Sequence, residues 1–310
     1  MPFVRPEIIR PPSEHASYYL PLTSGCSNNS CTFCAFSLTN LGIRDLEDVK
    51  REIDAMSMYV HHGMWVAGQP QIVYAILQEW DGRRVFLQDG DALAYPYPKL
   101  LEALQHLNQK FPRLQRVASY ATPQDVLRRS PEELKALKEQ KLDILYMGVE
   151  SGDDEVLRKI KKNVTHDQMV EAAKKVKMAG ILLSVTVILG LGGTHGSKMH
   201  VAETARVLTE MDPDFAGALT LTLVPGTQLY EEWEKGEFEL ITPFESLQEL
   251  KEIVEKSTFT NCFFSSMHAS NYYAIRGTLP RDKNKMLSQL NAILSRKDPH
   301  LLRPEFMRGL

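Results

Sequence analysis

The sequence predicts an α/β fold: a partial barrel of six parallel strands, each followed by helix, with a C-terminal α+β extension. Three observations lead there. Short apolar strand patterns alternate with amphipathic helix patterns along most of the chain. Several helix openings carry capping signals. No repeat, low-complexity run or Gly/Ser-rich linker divides the 310 residues, a length that suits one large barrel or two ordinary domains.

In order, Tyr18 to Thr23 reads as the first strand, and Leu46, Val49, Ile53 and Met56 then fall on one helical face. Arg84 to Gln88 is the second strand, followed by the leucine-rich helix of Leu100, Leu101, Leu104 and Leu107. Gln115 to Tyr120 is the third; Ser130-Pro131-Glu132-Glu133 opens the next helix with a cap, a proline in the first turn and an acidic partner. Asp143 to Val149 is the fourth, followed by a capping box at Thr165–Gln168 and a stop at Gly180. Ile181 to Leu189 and Ala216 to Val224 are the fifth and sixth, with a helix around Val201 to Met211 between them. Strand–helix alternation of this kind joins parallel strands by right-handed crossovers. Beyond about Gly236 come a helix opened by Thr242-Pro243-Phe244-Glu245, a strand-like Thr258 to Phe264, a polar loop and a last helix near Lys283 to Leu294. The expected division is therefore 1–235, the barrel with a short lead-in, and 236–310, an extension covering one end of it.

Composition narrows the function classes. Hydrophobic residues at 43% support a sizeable core, and a net charge of −3 argues against nucleic acid or an anionic membrane as the bulk partner. The N-terminus lacks a signal-peptide core, and the most apolar stretch, Ile181 to Gly193, is too short for a membrane span. A cytoplasmic location is expected. Four cysteines are too few and too clustered for a disulfide scaffold, which suits small secreted chains.

Three of those cysteines follow the first strand as Cys26-x4-Cys31-x2-Cys34. Thiolates suit an iron–sulfur cluster or zinc. Structural zinc wants a fourth protein ligand, and the loop holds neither a fourth cysteine nor a histidine. Three ligands leave one iron of a 4Fe–4S cluster open, as a catalytic cluster needs.

Gly25-Cys26-Ser27-Asn28-Asn29-Ser30-Cys31-Thr32-Phe33-Cys34 resembles the cluster loop of the radical S-adenosylmethionine (radical SAM) superfamily, with one residue more than usual between the first two cysteines. An aromatic residue at the place of Phe33 is typical there, and the resemblance spans roughly residues 10 to 235. It implies a 4Fe–4S cluster on Cys26, Cys31 and Cys34, with S-adenosylmethionine on the open iron. It further implies reductive cleavage of the sulfonium, hydrogen abstraction by a 5′-deoxyadenosyl radical, and a one-electron donor such as flavodoxin or ferredoxin.

The same resemblance assigns cofactor-binding roles. The turn Gln88-Asp89-Gly90-Asp91 stands where the family binds the methionine amino group: Gly90 permits close backbone approach, and Asp91 or Asp89 accepts from the ammonium. An ordinary acidic turn is the plain alternative. Gly148-Val149-Glu150-Ser151-Gly152 is similar to the oxygen-independent coproporphyrinogen dehydrogenase branch, which implies Glu150 on the ribose or amino group and Ser151 and Lys162 near the carboxylate. Lys162 reads equally as a solvated lysine among its basic neighbours. Ser184 and Thr186 interrupt an apolar strand and either bond backbone or touch ligand. Val224-Pro225-Gly226 matches the place where backbone flanks the adenine. Phe33 completes this set.

Cys262 lies between aromatics and reads as a buried strand residue or, more sharply, as a hydrogen-atom donor or extra ligand. His268, Asn271 and Arg276 lie in the polar loop beyond it, which either holds a substrate carboxylate or phosphate or simply bonds to itself. With Cys262, His268 and Arg276 as catalytic candidates, the expected activity is hydrogen abstraction from a small molecule. The alternative is a non-catalytic iron–sulfur or zinc carrier or sensor. The cysteine count speaks against an auxiliary cluster domain. The short stretch before Cys26 speaks against a preceding cobalamin domain, and the missing extra cysteines and RNA-binding appendage against a methylthiotransferase.

Overall fold

The computed structural model describes residues 3–309. Its chain forms two compact units. The first takes the described part of Met1–Asn29 together with Thr39–Tyr146 and Lys175–Leu182; the second takes Ser30–Leu38, Met147–Lys174 and the described part of Leu183–Leu310.

In the first unit β1 (Tyr18–Pro21) pairs with the later strand Arg84–Gln88, and the hairpin of β2 (Thr23–Ser24) with β3 (Gly42–Ile43) brackets the cysteine loop. The helix α1 (Leu46–His62) follows because Asp45 caps it, accepting from Glu47 N at 2.9 Å, and Gly63 closes it in the left-handed region. It buries Val49, Ile53 and Met56, the face read from the sequence. Next come α2 (Gln71–Glu79), β4 (Arg84–Gln88), α3 (Tyr97–Lys110), β5 (Arg116–Ala121), α4 (Pro123–Arg128), α5 (Pro131–Glu139) and the start of β6 (Leu142–Glu150). β1–β4 and β4–β5 are parallel, with Tyr19↔Phe86 and Phe86↔Ala118 in register. The short helices α2 and α4 were not expected. The α4 signal, Thr122-Pro123-Gln124-Asp125, is a cap, a first-turn proline and an acidic third residue; Thr122 Oγ1 accepts from Asp125 N at 3.2 Å.

The second unit holds the end of β6, α6 (Asp154–Lys159), most of α7 (His166–Met178), β7 (Leu182–Leu189), α8 (Gly193–Met211), β8 (Phe215–Thr220), α9 (Gln228–Glu234), α10 (Pro243–Lys256), β9 (Cys262–Ser265), β10 (Arg276–Leu279) and α11 (Lys283–Arg296). β7–β8 and β8–β9 are parallel and β9–β10 antiparallel. The α/β class with a mostly parallel sheet is therefore observed. Three differences concern strand extent, the first being that the strand-like Thr258 to Phe264 begins only at Cys262 and runs to Ser265. The sixth strand stops at Thr220, because Val224 O is taken by Thr227 in a turn. Part of the tail's polar loop is a strand, β10, whose Arg-Gly-Thr-Leu is legible only through its pairing with β9. Among the described residues no helix is long and apolar enough to cross a membrane.

One buried carboxylate fastens α1 to the first strand. Glu52, fully buried, takes Arg5 Nη1 on both oxygens at 2.9 and 2.8 Å, Arg44 Nη1 at 2.8 Å and the Tyr18 hydroxyl at 2.6 Å. Burial and this carboxylate push the Tyr18 hydroxyl well above the usual tyrosine range. Removing the one acidic partner strands two buried guanidinium groups, which costs about 3–5 kcal/mol. Glu52→Ala is expected to lower the urea midpoint accordingly; a loss under about 0.5 kcal/mol would show that solvent already screens this cluster.

Candidate active site

In the first unit the cysteine loop begins at Gly25, whose φ of +79° and whose missing Cβ, which would lie 2.8 Å from Asn40 O, make glycine necessary. Its N–H donates to Asp89 Oδ2 at 3.0 Å, so the end of β4 holds the entry to the loop. Asp89 Oδ1 and Gln88 Oε1 are buried acceptors with no hydrogen-bond partner, although Gln88 Nε2 donates to Glu7 O. Burial raises the Asp89 carboxyl above its usual range, against hydrogen bonds from the Gly25 and Gly90 N–H groups.

Asp91 is differently engaged. It is fully buried; Oδ1 accepts from Leu93 N at 3.1 Å, and Oδ2 lies 2.6 Å from Ser27 Oγ and 3.1 Å from Thr122 Oγ1. Ser27 Oγ also contacts Asp125 Oδ2, which lies 2.8 Å from Thr122 Oγ1. Burial, then the Asp125 carboxylate, push Asp91 well above the carboxylate range. Burial would also raise Asp125, but hydrogen bonds from Asp91, Ser27 and Thr122, together with the Arg128 guanidinium, hold it below. This acid pair fastens Ser27, the residue after Cys26, and leaves Asp91 without an oxygen for a ligand. Sequence reasoning missed Thr122 and Asp125.

In the second unit Cys34 N donates to Cys31 O at 3.3 Å, so the two thiols share one turn. That turn is pinned through Thr32, whose N donates to Ile160 O at 3.0 Å and whose O accepts from Leu229 N at 2.8 Å. Burial pushes the Cys34 thiol up to about 11; the Phe36 N–H opposes it and Cys31 adds to it. Phe33 is half-buried beside it. A buried thiol of this kind stays protonated until a metal favours the thiolate, which fits a cluster ligand. Among the described residues no three His, Cys, Asp or Glu side chains are grouped as a metal site requires. The three-cysteine assignment therefore rests on spacing, donor chemistry and family.

At the end of β6, Glu150 takes φ +65° and its Oε1 accepts from Lys162 Nζ at 2.8 Å, both side chains about nine-tenths buried. Lys162 is thus no solvated lysine. Gly148 makes the pair possible: a Cβ there would fall 2.1 Å from Glu150 Oε1 and 3.0 Å from Lys162 Nζ. Ser151 is fully buried, its Oγ 2.8 Å from His200 Nδ1 and accepting from Asp153 N at 3.0 Å. His200 Nε2 lies 3.1 Å from Ile188 O, and Glu249 accepts from Gly190 N at 2.7 Å and Ser197 Oγ at 2.6 Å. Burial lowers His200 to about 4 and raises Glu249 to about 7. This chain of contacts ties the residue after Glu150 to the ends of β7, α8 and α10; none of its members but Ser151 was anticipated.

The strand register sorts the remaining candidates. Cys262 pairs with Leu279 and Phe264 with Gly277, on the face where Met286 of α11 would meet a Gly277 Cβ at 2.8 Å. Cys262 is fully buried on that helix-covered face, away from Thr186 and Ser265, which corrects its reading as a hydrogen-atom donor. Thr186 stands half-buried on the opposite face. His268 is tied into its own loop: Nδ1 accepts from Ser270 N at 3.2 Å, and burial, then Arg303, hold it below the usual histidine range. Asn271 is likewise buried, donating to Ala218 O at 2.7 Å and Ser266 O at 3.0 Å. Arg276 is exposed at the start of β10. A cavity of about 370 Å³ opens at the ends of β7 and β8, lined among others by Gly190, Thr220, Leu223, Tyr230 and Trp233; Val224 is its half-buried neighbour in sequence.

The radical SAM superfamily model matches residues 20–206, three fifths of the chain. The chain belongs to the radical SAM superfamily. Members bind a 4Fe–4S cluster and S-adenosylmethionine. Among curated relatives it is 31% identical over 97 residues to an uncharacterized methyltransferase of Pyrococcus horikoshii, covering 31% of this chain and 21% of that protein. It is 22% identical over 260 residues to the heme chaperone HemW of Bacillus subtilis, covering 79% and 64%. The chain thus spans less than two thirds of the length of either. Of solved structures, the coproporphyrinogen III oxidase HemN of Escherichia coli aligns with TM-score 0.54 at 15% identity, over 77% of this chain and 51% of that one, a likeness of fold. The α/β class with a mostly parallel sheet, expected from the sequence, is consistent with the radical SAM fold of that structure.

Glu249 makes a pH test of the second unit's network. Its folded pKa lies above the unfolded value, so the folded state holds the extra proton and stability falls as pH rises through about 7. Between pH 6 and 8 the native protein is expected to lose about 1 kcal/mol that Glu249→Gln keeps, as read by urea denaturation. Parallel pH profiles for the two proteins would mean that Glu249 does not titrate in this window.

Proposed function

We propose that the chain is a radical SAM enzyme that abstracts hydrogen from a small-molecule substrate, with Cys26, Cys31 and Cys34 holding the cluster. What supports this is the three-cysteine loop within a family whose model covers the same residues, together with an unsatisfied Asp89 acceptor in the first unit and a buried Glu150–Lys162 pair in the second. The bound cluster and S-adenosylmethionine supply reductive one-electron cleavage and a carbon-centred radical. The protein's part is placement. Asp89, with one oxygen already on Gly25 N and the other unpartnered, receives the cofactor ammonium; this moves the role from Asp91, whose oxygens are taken. Gly90, beside it in the same turn, lets the cofactor approach the backbone. Glu150 accepts from a ribose hydroxyl while the Lys162 ammonium, held beside it, approaches the cofactor carboxylate. Ser151 keeps Glu150 in place through His200 instead of touching the ligand. Phe33 excludes water beside Cys34, and the cavity next to Val224 takes the adenine. The barrel part is residues 1–235, and 236–310 adds β9, β10 and α11. A cytoplasmic location and a low-potential donor such as flavodoxin or ferredoxin follow from the need to keep thiols and cluster reduced. The comparisons lend no support to a non-catalytic carrier.

Anaerobic reconstitution is expected to give about four irons per chain and, with dithionite and S-adenosylmethionine, 5′-deoxyadenosine. Alanine at Cys26, Cys31 or Cys34 should remove the iron, whereas Cys262→Ala should retain it. Stoichiometric zinc without iron would sink the reading.

The two aspartates separate in a binding assay. Asp89→Asn is expected to weaken S-adenosylmethionine about ten- to a hundred-fold with the cluster spectrum intact. Asp91→Asn should instead loosen the Ser27 anchor and lower stability with little change in affinity. The reverse pattern would return the ammonium to Asp91.

A further inference from the structure

The strand register puts four residues of the second unit in one cross-strand row: Thr186 opposite Gly217, Gly217 opposite Ser265, and Ser265 opposite Arg276. Registered partners share a face of the sheet. The alternate row, Val185, Ala216, Phe264 and Gly277, is buried and covered at one end by α11. The Thr186 row is the open one. Thr186, Gly217 and Ser265 are half-buried and Arg276 is exposed.

Its chemistry is one-sided. Arg276 makes no hydrogen bond or ion pair with any described residue, unlike Arg303 and Arg308, whose guanidinium groups are spent on carbonyls and on Glu305. The strand residues flanking the row on this face are Ser184, Phe215, Phe263 and Thr278 on one side and Ile188 and Leu219 on the other, with no carboxylate among them. Ser265 Oγ accepts from Met267 N at 3.2 Å and keeps its own proton to donate. The Thr186 hydroxyl has no partner among the described residues. Between the two hydroxyls Gly217 leaves a gap: a Cβ built there meets no atom closer than 3.8 Å. An unpaired guanidinium, two hydroxyl donors and a space without a side chain, with no acid among the flanking residues of β7 to β10, together match an oxyanion on an elongated ligand.

We propose that this row is the substrate site and that it selects a small molecule carrying a carboxylate or phosphate, held by Arg276 and Ser265, with a polar group further along at Thr186. Thr186 thereby moves from cofactor to substrate. Three strand spacings separate Thr186 from Arg276, about 14 Å of sheet, so the ligand is longer than the anion alone. A guanidinium fork fits such an oxyanion through paired hydrogen bonds. This inference rests on the reading of the chain as an enzyme, but its test does not need turnover.

Phenylglyoxal reacts with accessible arginines and peptide mass spectrometry locates the adducts. On the reconstituted full chain, inorganic phosphate and, separately, acetate are titrated against the modification rate. Arg276 is expected to be protected at least five-fold by one of the two anions, while exposed Arg281, paired with Asp282, stays within two-fold. Protection by phosphate identifies a phosphate-bearing substrate and by acetate a carboxylate. Ser265→Ala should cut the protection several-fold with an unchanged melting curve. Equal protection of Arg276 and Arg281, or none, overturns the site. Protection by S-adenosylmethionine alone, with no added effect of either anion, also overturns it, because the anion held would then be the cofactor's. Failure of 5′-deoxyadenosine release with protection intact would instead refute the enzyme reading and leave the anion site standing.

Discussion

The alternation of side chains along a parallel strand is the constraint on which the rest of the second unit depends. Once Val185, Ala216, Phe264 and Leu279 are committed to the helix-covered face, every other residue of those strands is committed to the opposite one. That single period separates Cys262 from Arg276, two residues that look equally eligible in the sequence. It also explains why small and polar residues interrupt the apolar fifth strand: Ser184 and Thr186 fall on the face that the core does not use. A one-residue slip would bury Arg276 under α11 and expose Cys262, so the hydrophobic face enforces the register that the polar face exploits.

Charge burial organises the rest. Three of the buried carboxyl clusters named above are each satisfied differently. Glu52 is surrounded by two guanidinium groups and a phenol, so it fastens structure. Asp91 and Asp125 share the Ser27 and Thr122 hydroxyls, so they hold the loop at Ser27. Glu150 has one lysine and lies over a glycine whose missing side chain makes room for the pair. Asp89 differs from all of these in keeping an unsatisfied oxygen. A buried acceptor without a donor is costly in a folded chain, and a cationic ligand is the natural relief. The proposal of Asp89 as the acceptor for the cofactor ammonium rests on that contrast.

The network from Ser151 through His200 to Ile188, and from Gly190 to Glu249, shows how a residue is held at positive φ. Glu150 sits in a conformation that L-residues adopt at some cost. The neighbour on its C-terminal side is locked by a neutral imidazole whose burial keeps it uncharged. The glutamate is thereby oriented by backbone restraint as well as by its lysine.

Much of this was legible in the sequence. Cysteine spacing, six strand patterns and the capping boxes at Ser130, Thr165 and Thr242 are local signals, because a cap or a metal loop is written in consecutive residues. They determined the fold class and the family, and they single out the three cysteines proposed to hold the cluster. Tertiary structure alone decided which of two aspartates in one turn has an oxygen to spare, since Asp91 is consumed by Ser27 and Thr122, 64 and 31 positions away. It alone turned Lys162 from a lysine in a basic run into the buried partner of Glu150, and it alone set Arg276 beside Ser265, Gly217 and Thr186. The physical reason is common to all three. Hydrogen-bond saturation and strand register are properties of pairs distant in the chain, and no local pattern records whether a donor has already been claimed.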